Sequence, residues 1–186
     1  MNPRMNPRDA AALIRSAIPG PGGTWADLGA GAGTFTRALA ALLGPEGRVY
    51  AVDRDPHAVA ALRTWAVASL GASARAGASI IPVEADFTRS LDLPALDGVL
   101  LANALHFVRD AEPVLARVAR AVRPGGRVVI VEYDGRPASR WVPYPLPAER
   151  LPGLAARAGL GAVTVVGERP SAFSGRLYAA VAVRPE

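Results

Sequence analysis

The stretch Asp27-Leu28-Gly29-Ala30-Gly31-Ala32-Gly33 determines how the rest of this chain is interpreted. A short hydrophobic segment, 24–26, precedes it, and residues 34–40 after it have the composition of a helix. A strand, a glycine turn and a helix in this order let backbone N–H groups and a helix N-terminus approach a nucleotide-like ligand. We therefore expect a ligand-binding turn at this point.

The spacing of the glycines indicates which ligand the turn accepts. Dinucleotide-binding turns place glycines at the first, third and sixth positions and hold a pyrophosphate against the helix. Here Gly29, Gly31 and Gly33 take the first, third and fifth positions, and Thr34 takes the sixth. The carboxylate of Asp27 would repel a pyrophosphate and attract a cation. The pattern therefore favours a cationic ligand without phosphate.

Length and composition predict a globular protein with one domain, residues 1–186. Of the 186 residues, 51% are hydrophobic and 20% are charged, as in ordinary soluble domains. The absence of cysteine excludes disulfides, thiolate zinc sites and a cysteine nucleophile. We find neither a signal peptide nor an apolar run of about 18 residues, so we expect a cytoplasmic protein without membrane association.

The basic character of the chain is not arranged as in a nucleic-acid-binding arm. The net charge is +5, and all 21 basic residues are arginine. These arginines are scattered along the chain rather than gathered into a run. We therefore do not expect a nucleic-acid partner from charge alone.

Alternating strand and helix patterns predict an α/β fold. Strands that alternate with helices form a parallel sheet with right-handed crossovers, whereas the last two strands, joined by a short link, should be antiparallel. The expected architecture is a Rossmann-like, doubly wound, three-layered fold with a mostly parallel seven-stranded sheet and a C-terminal antiparallel hairpin. The predicted strands are 24–28, 48–53, 79–84, 98–102, 127–133, 163–166 and 176–183.

The segments outside this pattern are interpreted as follows. Residues 1–8 are expected to be disordered, and a helix is expected over 9–18. Another helix should run from Pro56 toward residue 70, and the prolines in 136–147 predict an irregular loop. A final helix is expected to end at Gly159, with a kink or a delayed start at Pro152.

Polar residues follow each of the next three predicted strands. Asp53 ends the second strand, Asp86 and Phe87 follow the third, and Asn103 follows the fourth. Because ligands bind at the carboxyl ends of strands in open α/β sheets, these residues are expected to lie around one crevice with the glycine turn.

Together these motifs resemble those of class I S-adenosylmethionine-dependent methyltransferases, in their small single-domain form. The resemblance covers residues 23–133 and includes the sequence Arg123-Pro124-Gly125-Gly126-Arg127 before the fifth strand. It implies a seven-stranded sheet and a cofactor with an ammonium and a sulfonium group but no phosphate. S-adenosylmethionine, converted to S-adenosylhomocysteine, is therefore the expected cofactor.

The resemblance also implies a role for each motif residue. Asp53 would accept hydrogen bonds from the ribose hydroxyls, and Asp86 with Phe87 would hold the adenine. Asn103 would lie near the methionine carboxylate or the transferred methyl group. Arg54 stands where a hydrophobic residue often covers the adenine, a contact that its aliphatic stem could make. The methionine end of the cofactor would be held by Asp27, Gly29, Ala30, Gly31 and Gly33.

Candidate catalytic residues are few. Holding donor and acceptor in line can contribute up to about 7–11 kcal/mol, so methyl transfer needs a base only when the acceptor loses a proton. His106, after the fourth strand, is interpreted either as that base or as a histidine bonded to backbone that shapes the loop. Tyr133 is a second candidate, and strand alternation places it opposite Glu132. His57 is expected at the surface or in a helix cap.

The acceptor is expected to be a small molecule. Trp141 and Tyr144 could line an acceptor pocket or simply pack against the sheet. The fourth motif, at residues 101–106, lacks the Asn-Pro-Pro-aromatic form of enzymes that methylate the amino groups of bases or glutamine. No metal site is expected, because the histidines and carboxylates lack ligand spacing. The acceptor atom and the oligomeric state stay open.

Three alternatives also stay open. The chain could be a methyltransferase-like domain that binds cofactor without turnover, or it could methylate a macromolecule such as RNA or protein. The third is an NAD(P)-dependent oxidoreductase, against which the missing sixth-position glycine and the closing hairpin both argue.

Overall fold

The computed structural model describes residues 5–68 and 77–186, and seven strands of these residues form one sheet. The strands are β1 Gly23–Leu28, β2 Gly47–Asp53, β3 Ser79–Glu84, β4 Leu96–Ala102, β5 Val122–Asp134, β6 Thr164–Pro170 and β7 Arg176–Val183. Their order is β3-β2-β1-β4-β5-β7-β6. Neighbours from β3 to β5 pair in parallel, whereas β7 is antiparallel to both β5 and β6. The predicted mixed sheet and its closing hairpin are confirmed.

Helices cover both faces of the sheet, which confirms the three layers. The α-helices are α1 Pro7–Ile14, α2 Thr34–Leu43, α3 Pro56–Ala68, α4 Ala111–Ala121 and α5 Leu151–Arg157. The first three contribute to clusters on one face, and α4 and α5 pack against the other. Between β3 and β4 the chain runs through residues 85–95 without a helix. The sheet face beside α4 therefore has a thinner cover than the opposite face.

The period of two along the strands separates the two cores. Trp25 of β1 and Val129 of β5 face α1 and α2, whereas Leu28 and Ile130 face α4 and α5. All four side chains are almost completely buried. Burying such a side chain contributes about 1.5–3 kcal/mol, so this alternation stabilises the sheet and fixes which residues reach its carboxyl edge.

Several element boundaries differ from those predicted; β6, for example, ends at Pro170 rather than at residue 166. Residues 5–8 are not disordered, because α1 begins at Pro7 and the side chain of Asn6 accepts the Asp9 N–H at 2.9 Å. Residues 1–4 lie outside the described residues, as does residue 70, toward which a helix was predicted. Strand β5 begins at Val122 rather than at residue 127, and its pairing with β4 shifts register between Leu96 and Gly98.

The proline-rich segment is irregular, as predicted. Residues 136–147 contain an isolated bridge between Ser139 and Val142 but no helix or longer strand. Of the two alternatives predicted for Pro152, the delayed start is confirmed and the kink is not: α5 begins at Leu151, and Pro152 lies in its first turn, where an N–H would have no intrahelical partner.

In residues 5–68 and 77–186, no helix has the length and apolarity needed to cross a membrane.

Candidate functional site

The glycine turn between β1 and α2 forms hydrogen bonds within itself and with β2. Four of its N–H groups donate to acceptors within the protein, and a phosphate could not use them without breaking these bonds. The turn is therefore suited to a ligand without phosphate. The four bonds join Gly29 and Ala30 to the Val52 carbonyl (2.9 and 3.0 Å), Gly33 to the Ala30 carbonyl (2.9 Å) and Gly31 to Oδ2 of Asp53 (2.7 Å).

The glycines of the turn have different surroundings. Gly29, Gly31 and Gly33 all have positive φ angles, of 79°, 51° and 77°. A Cβ on Gly29 would lie 2.9 Å from that of Ala104, and one on Gly33 would lie 2.5 Å from a Leu62 methyl. A Cβ on Gly31 would meet nothing within 4 Å. The backbone at Gly31 thus faces open space, as a cradle for a ligand requires.

Asp27 lies buried under the first turn of α2. Its carboxylate is 1% exposed and accepts a hydrogen bond from the Thr36 hydroxyl at 2.6 Å. Burial raises its pKa to about 7; the nearby charge of Asp53 also raises it, and the Thr36 bond opposes the change. Because a nearby cation would favour the ionised form, Asp27 is suited to stabilise a positively charged ligand group.

Asp53 ties the glycine turn to the start of α3. While Oδ2 accepts the Gly31 N–H, Oδ1 accepts the N–H of Asp55 at 2.9 Å. A carboxylate oxygen can accept a second hydrogen bond, so both oxygens can still receive hydroxyl groups from a ligand. Asp53 therefore supports the turn in addition to its expected role as a ribose ligand.

Asp86 and Phe87 begin the connection from β3 to β4. Oδ1 of Asp86 accepts both the N–H and the hydroxyl of Thr88, at 2.9 and 2.6 Å, and these bonds hold its pKa below the usual value. The positive charge of Arg54 acts in the same direction. The Phe87 ring lies 3.4 Å from the Cβ position at Gly29. The structure thus brings the predicted adenine residues to the glycine turn.

Asn103 has a backbone conformation that few residues adopt. Its φ angle is 54°, a left-handed value that asparagine tolerates better than most, and its N–H donates to the Val131 carbonyl at 2.8 Å. Its side-chain oxygen is buried without a hydrogen-bond partner. Such an atom carries a desolvation cost of about 1–3 kcal/mol, which a ligand donor would relieve.

These features fit S-adenosylmethionine at the carboxyl edge of β1, β2 and β4. The open cradle at Gly31, the unpaired oxygen of Asn103 and the acids Asp27, Asp53 and Asp86 provide acceptors for the ammonium, hydroxyl and amino groups of the cofactor. Phosphate would find carboxylates at this edge where it needs donors.

Beside this edge, His106 forms a buried pair with Glu132. His106 is 2% exposed, Glu132 is fully buried, and Nδ1 of the ring lies 2.6 Å from Oε2 of the carboxylate. The other carboxylate oxygen accepts the His106 N–H at 3.1 Å. Nε2 forms no hydrogen bond with any residue in 5–68 or 77–186. The pair therefore fixes the ring and leaves one nitrogen available.

Tyr133 lies next to this pair on the opposite face of β5. Its ring centroid is 5.8 Å from that of His106, and the Arg136 guanidinium lies over it at 4.7 Å. Burial raises the pKa of the phenol above its ordinary value. At neutral pH Tyr133 therefore acts as a hydrogen-bond donor rather than as a base.

Five aromatic side chains, exposed or half-buried, lie on the His106 loop, at the end of β5 and on the segments 141–144 and 171–175. Trp141 and Tyr144 are 62% and 42% exposed, and the Tyr144 N–H donates to the His106 carbonyl at 2.9 Å. The Phe107 ring contacts that of His106, with centroids 4.3 Å apart, and the Phe173 ring lies 5.0 Å from the Arg136 guanidinium. We call Phe107, Tyr133, Trp141, Tyr144 and Phe173 the aromatic rim.

Two other polar residues have structural partners. Asp134 forms an ion pair with Arg176 of β7 at 2.7 Å, which makes it a strand-pairing residue. The N–H of His57 donates to Asp55 at 2.9 Å at the exposed start of α3, as predicted.

Sequence reasoning missed the partnership of Glu132 with His106. A glutamate in the strand sequence Val128-Val129-Ile130-Val131-Glu132 has no apolar role, and that mismatch was the available signal.

Comparisons with known proteins agree with this geometry. Residues 26–130, more than half of the chain, match the family model described as a methyltransferase domain. Among curated proteins, ribosomal RNA small subunit methyltransferase H of Verminephrobacter eiseniae is 49% identical over 49 residues, which are 26% of this chain and 15% of that protein. An uncharacterized protein in transposon TN4556 of Streptomyces fradiae is 32% identical over 118 residues, covering 61% of this chain and 31% of that protein. This chain spans less than a third of either relative.

Solved structures share the whole fold. YcgJ of Bacillus subtilis has a TM-score of 0.75 at 13% identity, with 96% of this chain and 99% of that one covered. The N-methyltransferase NodS of Bradyrhizobium japonicum has a TM-score of 0.73 at 19% identity, with 96% of both chains covered. A SAM-dependent methyltransferase of Aquifex aeolicus has a TM-score of 0.70 at 18% identity, with 95% and 89% covered.

Proposed function

Because this chain belongs to the methyltransferase domain family, we propose that it is a class I S-adenosylmethionine-dependent methyltransferase that acts on a small molecule bound at the aromatic rim. The observation that supports this acceptor class is the buried pair of His106 and Glu132 beside the aromatic rim. Aromatic walls with one fixed polar group are typical of small-molecule pockets.

The cofactor residues act by position and charge. When bound, S-adenosylmethionine supplies an activated methyl group on a sulfonium. Asp53 would accept hydrogen bonds from the ribose hydroxyls, Asp86 would accept one from the adenine amino group, and Phe87 would hold the purine. The unpaired oxygen of Asn103 would accept a hydrogen bond from the ammonium group, and the charge of Asp27 would stabilise that group. These contacts hold the methyl donor in one orientation, which is the main source of acceleration in an in-line displacement.

His106 serves acceptors that lose a proton during attack. Glu132 accepts the Nδ1 proton and so leaves Nε2, which has no hydrogen bond to a described residue, as the basic nitrogen. In this role His106 is the catalytic residue, and Glu132 is a positioning residue that fixes the ring. Tyr133 donates a hydrogen bond or packs against the acceptor.

The cofactor site is tested by calorimetric titration of S-adenosylhomocysteine into the wild type, Asp53→Ala and Asp53→Asn. We expect micromolar affinity in the wild type, a loss of at least tenfold in Asp53→Ala and a smaller loss in Asp53→Asn, which keeps one acceptor oxygen. Circular dichroism controls for the bond from Gly31, which the alanine variant also loses. Absence of binding to a folded wild type would leave only a degenerate scaffold.

The acceptor class is tested by supplying a cell extract with S-adenosylmethionine that carries a tritiated methyl group. After acid precipitation, a labelled species in the soluble fraction that separates from S-adenosylmethionine by chromatography and forms only when the protein is added supports a small-molecule acceptor. Label in the precipitate, released by ribonuclease or protease, would instead identify a macromolecular acceptor and overturn this part of the proposal.

A further inference from the structure

A cavity lies on the sheet face that has the thinner cover. It measures about 300 Å³ and is enclosed by the connection from β3 to β4, the strand β4 and the helix α4. Its floor consists of Leu96 and Val99 of β4 with Leu28 of β1, all buried. Leu91 and Leu93 of the connection form a further apolar side. The interior therefore favours a hydrocarbon chain or ring.

The rim of this cavity is cationic. Arg89, Arg117 and Arg120 line it, and none of its described lining residues is acidic. Of these, Arg89 lies 3.9 Å from Asp86, and its side chain is 83% exposed. Arg117 and Arg120 form no ion pair with a residue in the described ranges. Two guanidinium groups are thus available to an anion.

Arg117 is held in place at this rim. Its Nη2 donates to the carbonyl of Thr88, and its Nε is buried without a hydrogen-bond partner. A buried, unpaired donor on a cationic group is costly, and an anionic acceptor would satisfy it. The apolar floor and this unsatisfied donor lie in the same cavity.

We propose that this cavity is a binding site for a small amphipathic carboxylate, such as a medium-chain fatty acid. The carboxylate pairs with Arg117 and Arg120, while the hydrocarbon lies on Leu96 and Val99. Phe87 lines the cavity and also lies against the Cβ position at Gly29, so the ligand would share one wall with the cofactor site without entering it.

The test is calorimetric titration of sodium octanoate, below its micelle concentration, into the wild-type protein. We expect saturable binding that 1-octanol and sodium acetate do not reproduce, because one lacks the charge and the other the hydrocarbon. Arg120→Gln should weaken octanoate binding several-fold, and Arg117→Gln with Arg120→Gln at least tenfold. Arg48→Gln, an exposed arginine on β2, is the matched control and should leave the affinity unchanged.

Two results would overturn the proposal. One is octanoate affinity that is the same in Arg120→Gln as in the wild type, a variant that changes an exposed side chain and so should fold normally. The other is displacement of octanoate by saturating S-adenosylhomocysteine, which would place the carboxylate in the cofactor site. The readout is binding rather than turnover, so failure here is independent of the small-molecule acceptor proposal.

Discussion

The turn after β1 and the loop after β4 open onto the same crevice, but they are held in place by different means. The glycine turn is fixed by bonds of its own N–H groups to Val52, Ala30 and Asp53. The His106 loop is held in part by a single buried side chain, Glu132, that accepts two bonds from one residue.

This difference indicates which substitutions should change turnover without changing the affinity for the cofactor. Changes in the glycine turn alter the backbone, so cofactor binding and folding respond together. Changes at the histidine loop alter a side-chain pair beside the aromatic rim, so turnover can respond while cofactor binding is retained. The following predictions test this separation.

The largest effect is expected from His106→Gln or Glu132→Gln. With an acceptor that loses a proton, kcat should fall by about 10²–10³, because the fixed base is removed or misdirected. The affinity for S-adenosylhomocysteine, measured by calorimetry, should stay within about twofold. Tyr133→Phe is the matched control, with a loss below about tenfold. An equal fall in cofactor affinity would remove the distinction between the two regions.

A second prediction compares two glycines of the same turn. Gly31→Ala should weaken S-adenosylhomocysteine binding at least about tenfold, because the methyl group enters the open cradle and the left-handed backbone is strained by about 1–2 kcal/mol. Gly29→Ala should lower the thermal midpoint further, because its methyl group also meets Ala104. Equal midpoints in differential scanning fluorimetry would contradict the distinction.

A third prediction concerns pH. The pKa of Asp27 is raised to about 7, so its carboxylate gains charge as the pH rises through neutrality. If the negative charge of Asp27 attracts the ammonium group of the cofactor, the affinity for S-adenosylhomocysteine should increase about tenfold from pH 6 to pH 8. Asp27→Asn should bind more weakly and show a flat profile over this range. A wild-type profile that is also flat would show that Asp27 does not face the ligand.

The smallest effect is expected from Trp141→Ala on the aromatic rim. The side chain is 62% exposed on an irregular segment, so the unfolding free energy should change by less than about 0.5 kcal/mol. KM for the acceptor should rise about three- to fivefold with kcat unchanged, as expected when uniform binding is lost. Val67→Ala, another exposed hydrophobic residue but on α3, should leave KM unaltered.

The parts of the molecule that were predicted from sequence are those that local patterns specify. The glycine spacing, the strand alternation and the acid at Asp53 all lie within short segments whose residue types are constrained by one turn or one strand end. These patterns were enough for the order of elements, the sheet and the cofactor class.

What the sequence did not reveal depends on distant pairs and on register. His106 and Glu132 are 26 residues apart and meet only because β4 and β5 are neighbours in the sheet. The early start of β5 at Val122 depends on a shifted register opposite Leu96, which overrides the turn signal of the Pro-Gly-Gly sequence. Neither feature has a local signature strong enough to predict it.

The helix-free connection from β3 to β4 has a consequence for motion. Residues 85–95 carry Asp86 and Phe87, yet their backbone is held by turn bonds such as that from Arg89 to Asp86 rather than by a ladder. Segments of this kind open at a lower free-energy cost than core strands, so their amides should exchange with deuterium earlier than those of β1 and β4. Asp86 and Phe87 would then bind the purine only while residues 85–95 hold the conformation seen here. The association rate of the cofactor would therefore depend on the fraction of time that the segment spends in this conformation.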